Sequence, residues 1–211
     1  MSLQEFDERG RGLDRILAFS DGVFAIAITL LVLNFKIPNL SGSHDLDHRL
    51  LDALAHDGGL YVGFVVSFFV VARFWVLHHS LSLVLRRADT TFIALNLVFL
   101  ACIVFVPFPA ELLGVYGNTT TAVVFYASAL VVTSLMSGLL WHVAFTRGLT
   151  DPKAGDRRGD AFLRTAITAG VFGASIPIAF VSTDLAKEFW ILLAVAPFAL
   201  ARRRTRTAAA R

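Results

Sequence analysis

Apolar runs of about 20 residues recur along this 211-residue chain, each bounded by charges, glycine or proline, and no other feature restricts its fold so tightly. A run of that length can satisfy its own backbone hydrogen bonds inside a bilayer only as a helix, so each run reads as a transmembrane helix. The runs lie near residues 15–36, 59–85, 90–113, 120–146, 161–182 and 186–201. Six spans place both termini on one side and leave little chain for a soluble domain. The expected organisation is an all-α integral membrane protein with one membrane domain over residues 1–211, a short N-terminal segment to about residue 14 and a basic tail from about 202 to 211. Composition agrees: 56% of residues are hydrophobic and the mean hydropathy is +0.68, more than a soluble core of this size needs.

The basic residues set the orientation. Of 19 lysines and arginines, fifteen fall on the side of the termini, Lys36, Arg49 and Lys187 fall on the other, and Arg73 lies within the second span. That asymmetry predicts cytoplasmic termini. The tail "ARRRTRTAAAR" directly follows an apolar span, so it reads as a topology anchor meeting anionic lipid and not as a nucleic-acid-binding segment. The first outer loop, "NLSGSHDLDHRLLDALAHDGG", carries Asp45, Asp47, Asp52 and Asp57 and reads as a solvated loop. A secretory signal peptide is not expected, because the first apolar run is too long and no small-x-small site follows it.

Several kinds of chemistry find no support. There is no glycine-rich phosphate loop, zinc-ligand spacing or nucleophile elbow. The adjacent His78 and His79 project about 100° apart on a helix and are poorly placed to share one metal ion. No catalytic residue, metal or cofactor is therefore expected, and the chain does not read as an enzyme. The lone Cys102 excludes an intrachain disulfide. "GVYG", Gly114 to Gly117, has the wrong order for a "TVGYG" potassium filter and is placed in a short loop. The "NTT" at Asn118 is too short a pattern to imply glycosylation. Pro107 and Pro109 are expected to end the third helix, and Pro177 and Pro197 to kink theirs.

The first helix, "LDRILAFSDGVFAIAITLLVLNFKIP", divides into two faces. At about 100° per residue, Phe19, Val23, Leu30 and Leu33 fall within roughly 60° of Ile26 and make an apolar stripe. Ser20 and Asp21 point about 120° and 140° away from Ile26. The alternating four and three spacing of the stripe suits either ordinary packing or a helix that meets copies of itself around an axis.

A carboxylate inside a span costs about 2.5–3.5 kcal/mol on the insertion scale and needs a protein partner. Depth nominates the partners. Asp21 lies roughly 9 Å beyond Arg15, His78 roughly 12 Å before Arg86, and Asn96 roughly 14 Å beyond Arg87. Trp75 is one turn from His78, on the same face of the second helix. A polar cluster of Ser20, Asp21, Trp75, His78 and Asn96 is therefore expected between the first three spans, either as interhelical glue or as a proton or ion relay. Arg15 falls on the Ile26 stripe instead, and either snorkels at the interface or bends round to the cluster.

"RILAFSD", Arg15 to Asp21, resembles the R-x-x-x-F-S-D signature of the TMEM175 channels, lysosomal potassium channels and their prokaryotic relatives. The likeness continues through "GVFAIAITLLVL", "FWVLHHSL" and "LNLVFL", over roughly residues 15–110. It implies a potassium-permeable cation channel without a TVGYG filter, its pore lined by the first helix and narrowed by rings of bulky apolar side chains. On matching positions those rings are Ile26, Leu30 and Leu33. The signature occurs once, which implies the prokaryotic arrangement: a homotetramer of six-span subunits in the plasma membrane, with itself, membrane lipids and K+ or other monovalent cations as partners. Fourfold symmetry would give the stripe its reason, since a narrow apolar ring stops conduction by dewetting. The resemblance also implies a structural role for the polar network, in which Arg15 and Phe19 of the signature join Ser20, Asp21, Trp75, His78 and Asn96.

Two rival readings use the same polar residues. A proton-coupled secondary transporter would employ Asp21 and His78, but such transporters carry repeats or broken helices, and no repeated half is visible here. An intramembrane metallohydrolase would need more ligands than the "HH" pair supplies.

Overall fold

A computed structural model describes residues 3–35, 37–39, 45–56 and 58–190. Among the described residues all regular elements are helical, apart from an isolated bridge between Leu85 and Thr150. Helix α1 (Leu3–Leu30) runs directly into a 3-10 turn (Leu31–Asn34), and the segment that follows contains α2 (Leu46–His56). Then come α3 (Gly58–Ser82), α4 (Thr90–Phe105), α5 (Pro107–Tyr116), α6 (Thr120–Thr146), α7 (Gly155–Ala179) and α8 (Thr183–Phe189). Five stretches are long and apolar enough to cross a membrane: Gly12–Leu33, Gly58–Ser82, Thr90–Tyr116, Thr120–Thr146 and Gly159–Ala179. They correspond to the first five expected spans. The sixth, 186–201, begins within α8, and its remainder, with Pro197 and the basic tail, lies outside the described residues.

Three local expectations need correction. The first outer loop is not all loop, because Leu46, Leu50 and Leu54 recur at helical spacing opposite Asp52 and His48 and make α2 amphipathic. Asp47 in its first turn and His56 in its last suit the helix dipole, and no residue of α2 is buried. Pro107 and Pro109 mark the end of α4 but not of the third span. Helix α4 stops at Phe105, Val106 keeps helical angles, and Pro107 starts α5 at a position whose missing N–H needs no partner. In consequence Gly114 to Tyr116 of "GVYG" are helical, with Gly117 just beyond them. Pro177 is accommodated inside α7.

The core is aromatic and shared by most helices. Phe24, Phe74, Phe92, Phe99, Tyr126 and Phe172 are almost completely buried, and Phe99 contacts both Phe24 and Phe74 at ring-centroid distances of 5.9 and 6.4 Å. The Tyr126 hydroxyl, in the second turn of α6, shares a 3.0 Å hydrogen bond with Ser67 of α3. Helices α3 and α5 approach through glycines: a Cβ on Gly59 would stand 2.9 Å from the Gly114 carbonyl oxygen. Such small-residue contacts let membrane helices gain dispersion energy where no hydrophobic force drives them together.

At one end of the bundle the α3–α4 and α6–α7 turns are clasped together. Helix α6 ends in a glycine cap, with Gly148 at φ 61°, Leu149 N donating to Ala144 O at 2.9 Å and Gly148 N to Phe145 O at 3.2 Å. The released chain pairs with the neighbouring turn: Arg86 N donates to Leu149 O at 2.9 Å and Asp151 N to Val84 O at 2.8 Å. Two ion pairs close the clasp, Arg147 with Asp89 at 2.8 Å and Arg86 with Asp151. Asp89 also caps α4 by accepting from Phe92 N.

Candidate functional site: two faces of α1

Helix α1 is buried on one side only. Ser20, Phe24, Ala27 and Leu31, spaced four, three and four residues apart, are at most 1% exposed. They lie about 100–160° round the helix from Ile26. On the Ile26 side Phe19, Ile26 and Leu33 are 56%, 59% and 69% exposed. Leu30 is half-buried, so of the three expected ring positions two stand clear of the chain and the third leans toward it.

Behind the buried face lies a directional hydrogen-bond chain. Asn96 Nδ2 on α4 donates to Ser20 Oγ at 2.9 Å, which leaves Asn96 Oδ1 to accept from His78 Nε2 on α3, also at 2.9 Å. That direction requires the proton on Nε2 of His78. Ser20 Oγ passes its own proton to the Ile16 carbonyl at 2.9 Å, so the chain ends on an acceptor already within α1. Ser20, His78 and Asn96 are all buried, and a buried network of this kind is stabilising when each member is satisfied.

Asp21 forms a separate arm. Its Oδ1 accepts from Trp75 Nε1 at 3.0 Å, and the Trp75 ring stacks on His79 with centroids 5.2 Å apart. Asp21 and Trp75 are both exposed on the single chain. The expected five-residue cluster is thus two branches, with Asp21 and His78 bonded to different partners. Arg15 and Phe19 join neither: Arg15 is exposed on the stripe side and, with Phe19, Ile93 and Asn96, lines a cavity of about 370 Å³ between α1 and α4.

Two members of the layer escaped sequence reasoning. Phe24 and Phe99 enclose the His78 ring at 5.6 and 5.8 Å, the latter stacked at 8°. Helical spacing carries the signal, since Phe24 follows Ser20 by four residues and Phe99 follows Asn96 by three. Among the described residues no group of three or more His, Cys, Asp or Glu side chains could hold a metal ion.

Apolar helices of spanning length, an aromatic core and a polar layer fastening one bare-faced helix define a multi-pass α-helical membrane protein. The chain belongs to the TMEM175 family, a family of ion channels and not of enzymes: the family profile, described as endosomal/lysosomal potassium channel TMEM175, matches residues 15–107. A potassium channel of Streptomyces collinus is 35% identical over 86% of this chain and 89% of that protein. The crystal structure of a lysosomal potassium-selective channel TMEM175 homolog from Chamaesiphon minutus superposes with a TM-score of 0.75 at 31% identity, covering 90% of this chain and 98% of the other. An endosomal/lysosomal proton channel TMEM175 of Gallus gallus is 35% identical over 47% of this chain, which covers 21% of that protein.

Proposed function

We propose that this chain is the six-span subunit of a homotetrameric, potassium-permeable cation channel in a prokaryotic plasma membrane, with both termini cytoplasmic. The observation that carries the reading is the bare stripe of α1, where Ile26 and Leu33 are more than half exposed although Ser20, Phe24, Ala27 and Leu31 across the helix are buried. Four such helices around an axis would cover the stripe with copies of itself, and Ile26, Leu30 and Leu33 would form stacked apolar rings. A ring too narrow to hold water blocks ions, and a modest widening admits a partly hydrated cation. The permeant K+ needs no cofactor.

Tetramer formation also answers a cost visible on the single chain. Asp21 and Trp75 are exposed within a span, and a carboxylate facing lipid is disfavoured by about 2.5–3.5 kcal/mol. A neighbouring subunit would cover them. The buried Ser20–Asn96–His78 chain then acts as support, fixing α1 against α3 and α4 while the opposite face meets ions. The proton-transporter reading draws less support, because Asp21 and His78 are not bonded to each other.

Planar-bilayer recording of the purified protein, with the tetramer verified by mass, tests this. Potassium current through intact tetramers is expected. Intact tetramers that pass no cation would sink the proposal.

A further inference from the structure

Arg73 is a cation inside a membrane-spanning helix, nine residues before the end of α3 at Ser82, or roughly 13 Å along the helix axis. Its side chain crosses to α7, where Nε donates to Thr168 Oγ1 at 3.0 Å and Nη2 to the Arg164 carbonyl at 3.4 Å. Both acceptors are neutral, and Thr168 Oγ1 spends its own proton on the same carbonyl at 2.9 Å. Three of the five guanidinium N–H groups are left without a protein acceptor among the described residues.

The contact also brings a second arginine, Arg164, beside the first. No carboxylate among the described residues makes an ion pair with either. The acids with visible partners nearby are engaged elsewhere, Asp89 with Arg147, Asp151 with Arg86 and Asp21 with Trp75, and Asp160, one turn before Arg164 on α7, has an interaction of its own. An arginine within a span normally has a partner, and two adjacent arginines without a carboxylate repel each other unless an anion lies between them.

The surroundings select the anion. Arg164 is exposed five residues, or roughly 8 Å, inside the α7 span that begins at Gly159, within reach of the headgroup region for a long side chain. Exposed apolar residues flank both arginines, Phe69 and Val76 on α3 and Leu163 on α7, as acyl chains would require. A phosphodiester offers two anionic oxygens that match the guanidinium fork. We propose that Arg73 and Arg164 hold the phosphate of an anionic phospholipid, drawn from the leaflet that faces the clasped α3–α4 and α6–α7 turns. This site is separate from the α1 face and does not depend on which ion the protein conducts.

The test is native mass spectrometry of the purified full-length protein titrated with phosphatidylglycerol and, separately, with phosphatidylcholine. Tighter binding of phosphatidylglycerol is expected, by about fivefold for each arginine engaged. Arg164→Gln alters an exposed side chain and should leave the fold intact while removing most of that preference; Arg73→Gln should remove it too, and Arg73→Lys should retain part of it. Equal binding of the two lipids by the unaltered protein, or an undiminished preference in Arg164→Gln, would overturn the proposal. Displacement of the bound phosphatidylglycerol by millimolar inorganic phosphate would also overturn it, identifying a soluble anion as the occupant.

Discussion

Asn96 donates to Ser20 over 2.9 Å, and this contact ties α1 to α4 while Ile26, about 120° round the same helix, stays 59% exposed. The residue that holds and the residue that faces outward are six positions apart, so one helix carries both a support and a working surface. Asn96 is hard to replace there because it donates to Ser20 and accepts from His78 at once.

Replacing Asn96 by Leu should therefore leave His78 Nε2 buried without its acceptor and Ser20 Oγ without its donor, while Ser20 keeps its own bond to the Ile16 carbonyl. A loss of about 1–3 kcal/mol is expected for the stranded groups, nearer the low end because interhelical hydrogen bonds in membranes average below 1 kcal/mol. Thermal unfolding in detergent should report a lower midpoint, and channels that still assemble should conduct normally. An unchanged midpoint would remove the supporting role of the layer.

Asp21 is expected to act in assembly more than in conduction. Asp21→Ala removes the acceptor of Trp75, whereas Asp21→Asn keeps a carbonyl for the same N–H and loses the charge. The yield of tetramer by size-exclusion chromatography should fall most for Ala and less for Asn. Normal tetramer yield together with abolished flux in both variants would favour the transporter reading instead.

The clasp predicts an acid limit. The Phe92 backbone N–H and the Arg147 guanidinium hold the Asp89 carboxyl below its ordinary range, and the Lys153 backbone N–H and Arg86 do the same for Asp151. Groups whose folded pKa is depressed contribute stability that is fully present above the unfolded value, about 3.9, and is lost as pH falls through the folded value. Stability from these pairs should be flat between pH 5 and 8 and decline below about pH 4. Unfolding of the Asp89→Asn, Asp151→Asn double variant should start from a lower midpoint at neutral pH and show a shallower acid decline. An equally steep decline would assign the acid sensitivity to other carboxylates.

Close helix approach gives a further expectation. Gly59→Ala would set a methyl 2.9 Å from the Gly114 carbonyl oxygen, a backbone atom that can yield only if α3 and α5 separate. Overpacking of this kind typically costs about 1–3 kcal/mol, measurable as a lowered unfolding midpoint. Gly12→Ala, where a Cβ meets nothing within 4 Å, is the matched control.

The two faces of α1 were legible in the sequence because a helix converts residue number directly into angle, and counting from Arg15, Arg86 and Arg87 placed Asp21, His78 and Asn96 at similar depth. The pairings within the layer were not, since helical angle and depth do not say whether Trp75 turns to Asp21 or to Asn96. The clasp was equally hidden: Asp89 and Arg147 are 58 residues apart, and their meeting depends on how four helices pack. Helix α2 escaped because its acidic, histidine-rich composition resembles a loop, while the leucine spacing that makes it helical is short. At Pro107 the usual reading of proline as a helix end held for α4, but it did not show that the span continues, with the proline tolerated in the first turn of a new helix.

The central claim, that the Ile26 stripe lines the ion path, is tested most directly by recording potassium current through Ile26→Cys in a Cys102→Ser background before and after a cationic thiol reagent. Removing Cys102 leaves one thiol per subunit. Modification at Ile26 should suppress the current, and the same reagent should leave Phe24→Cys, on the buried face, unaffected. Intact Ile26→Cys tetramers whose current survives verified modification would contradict the claim.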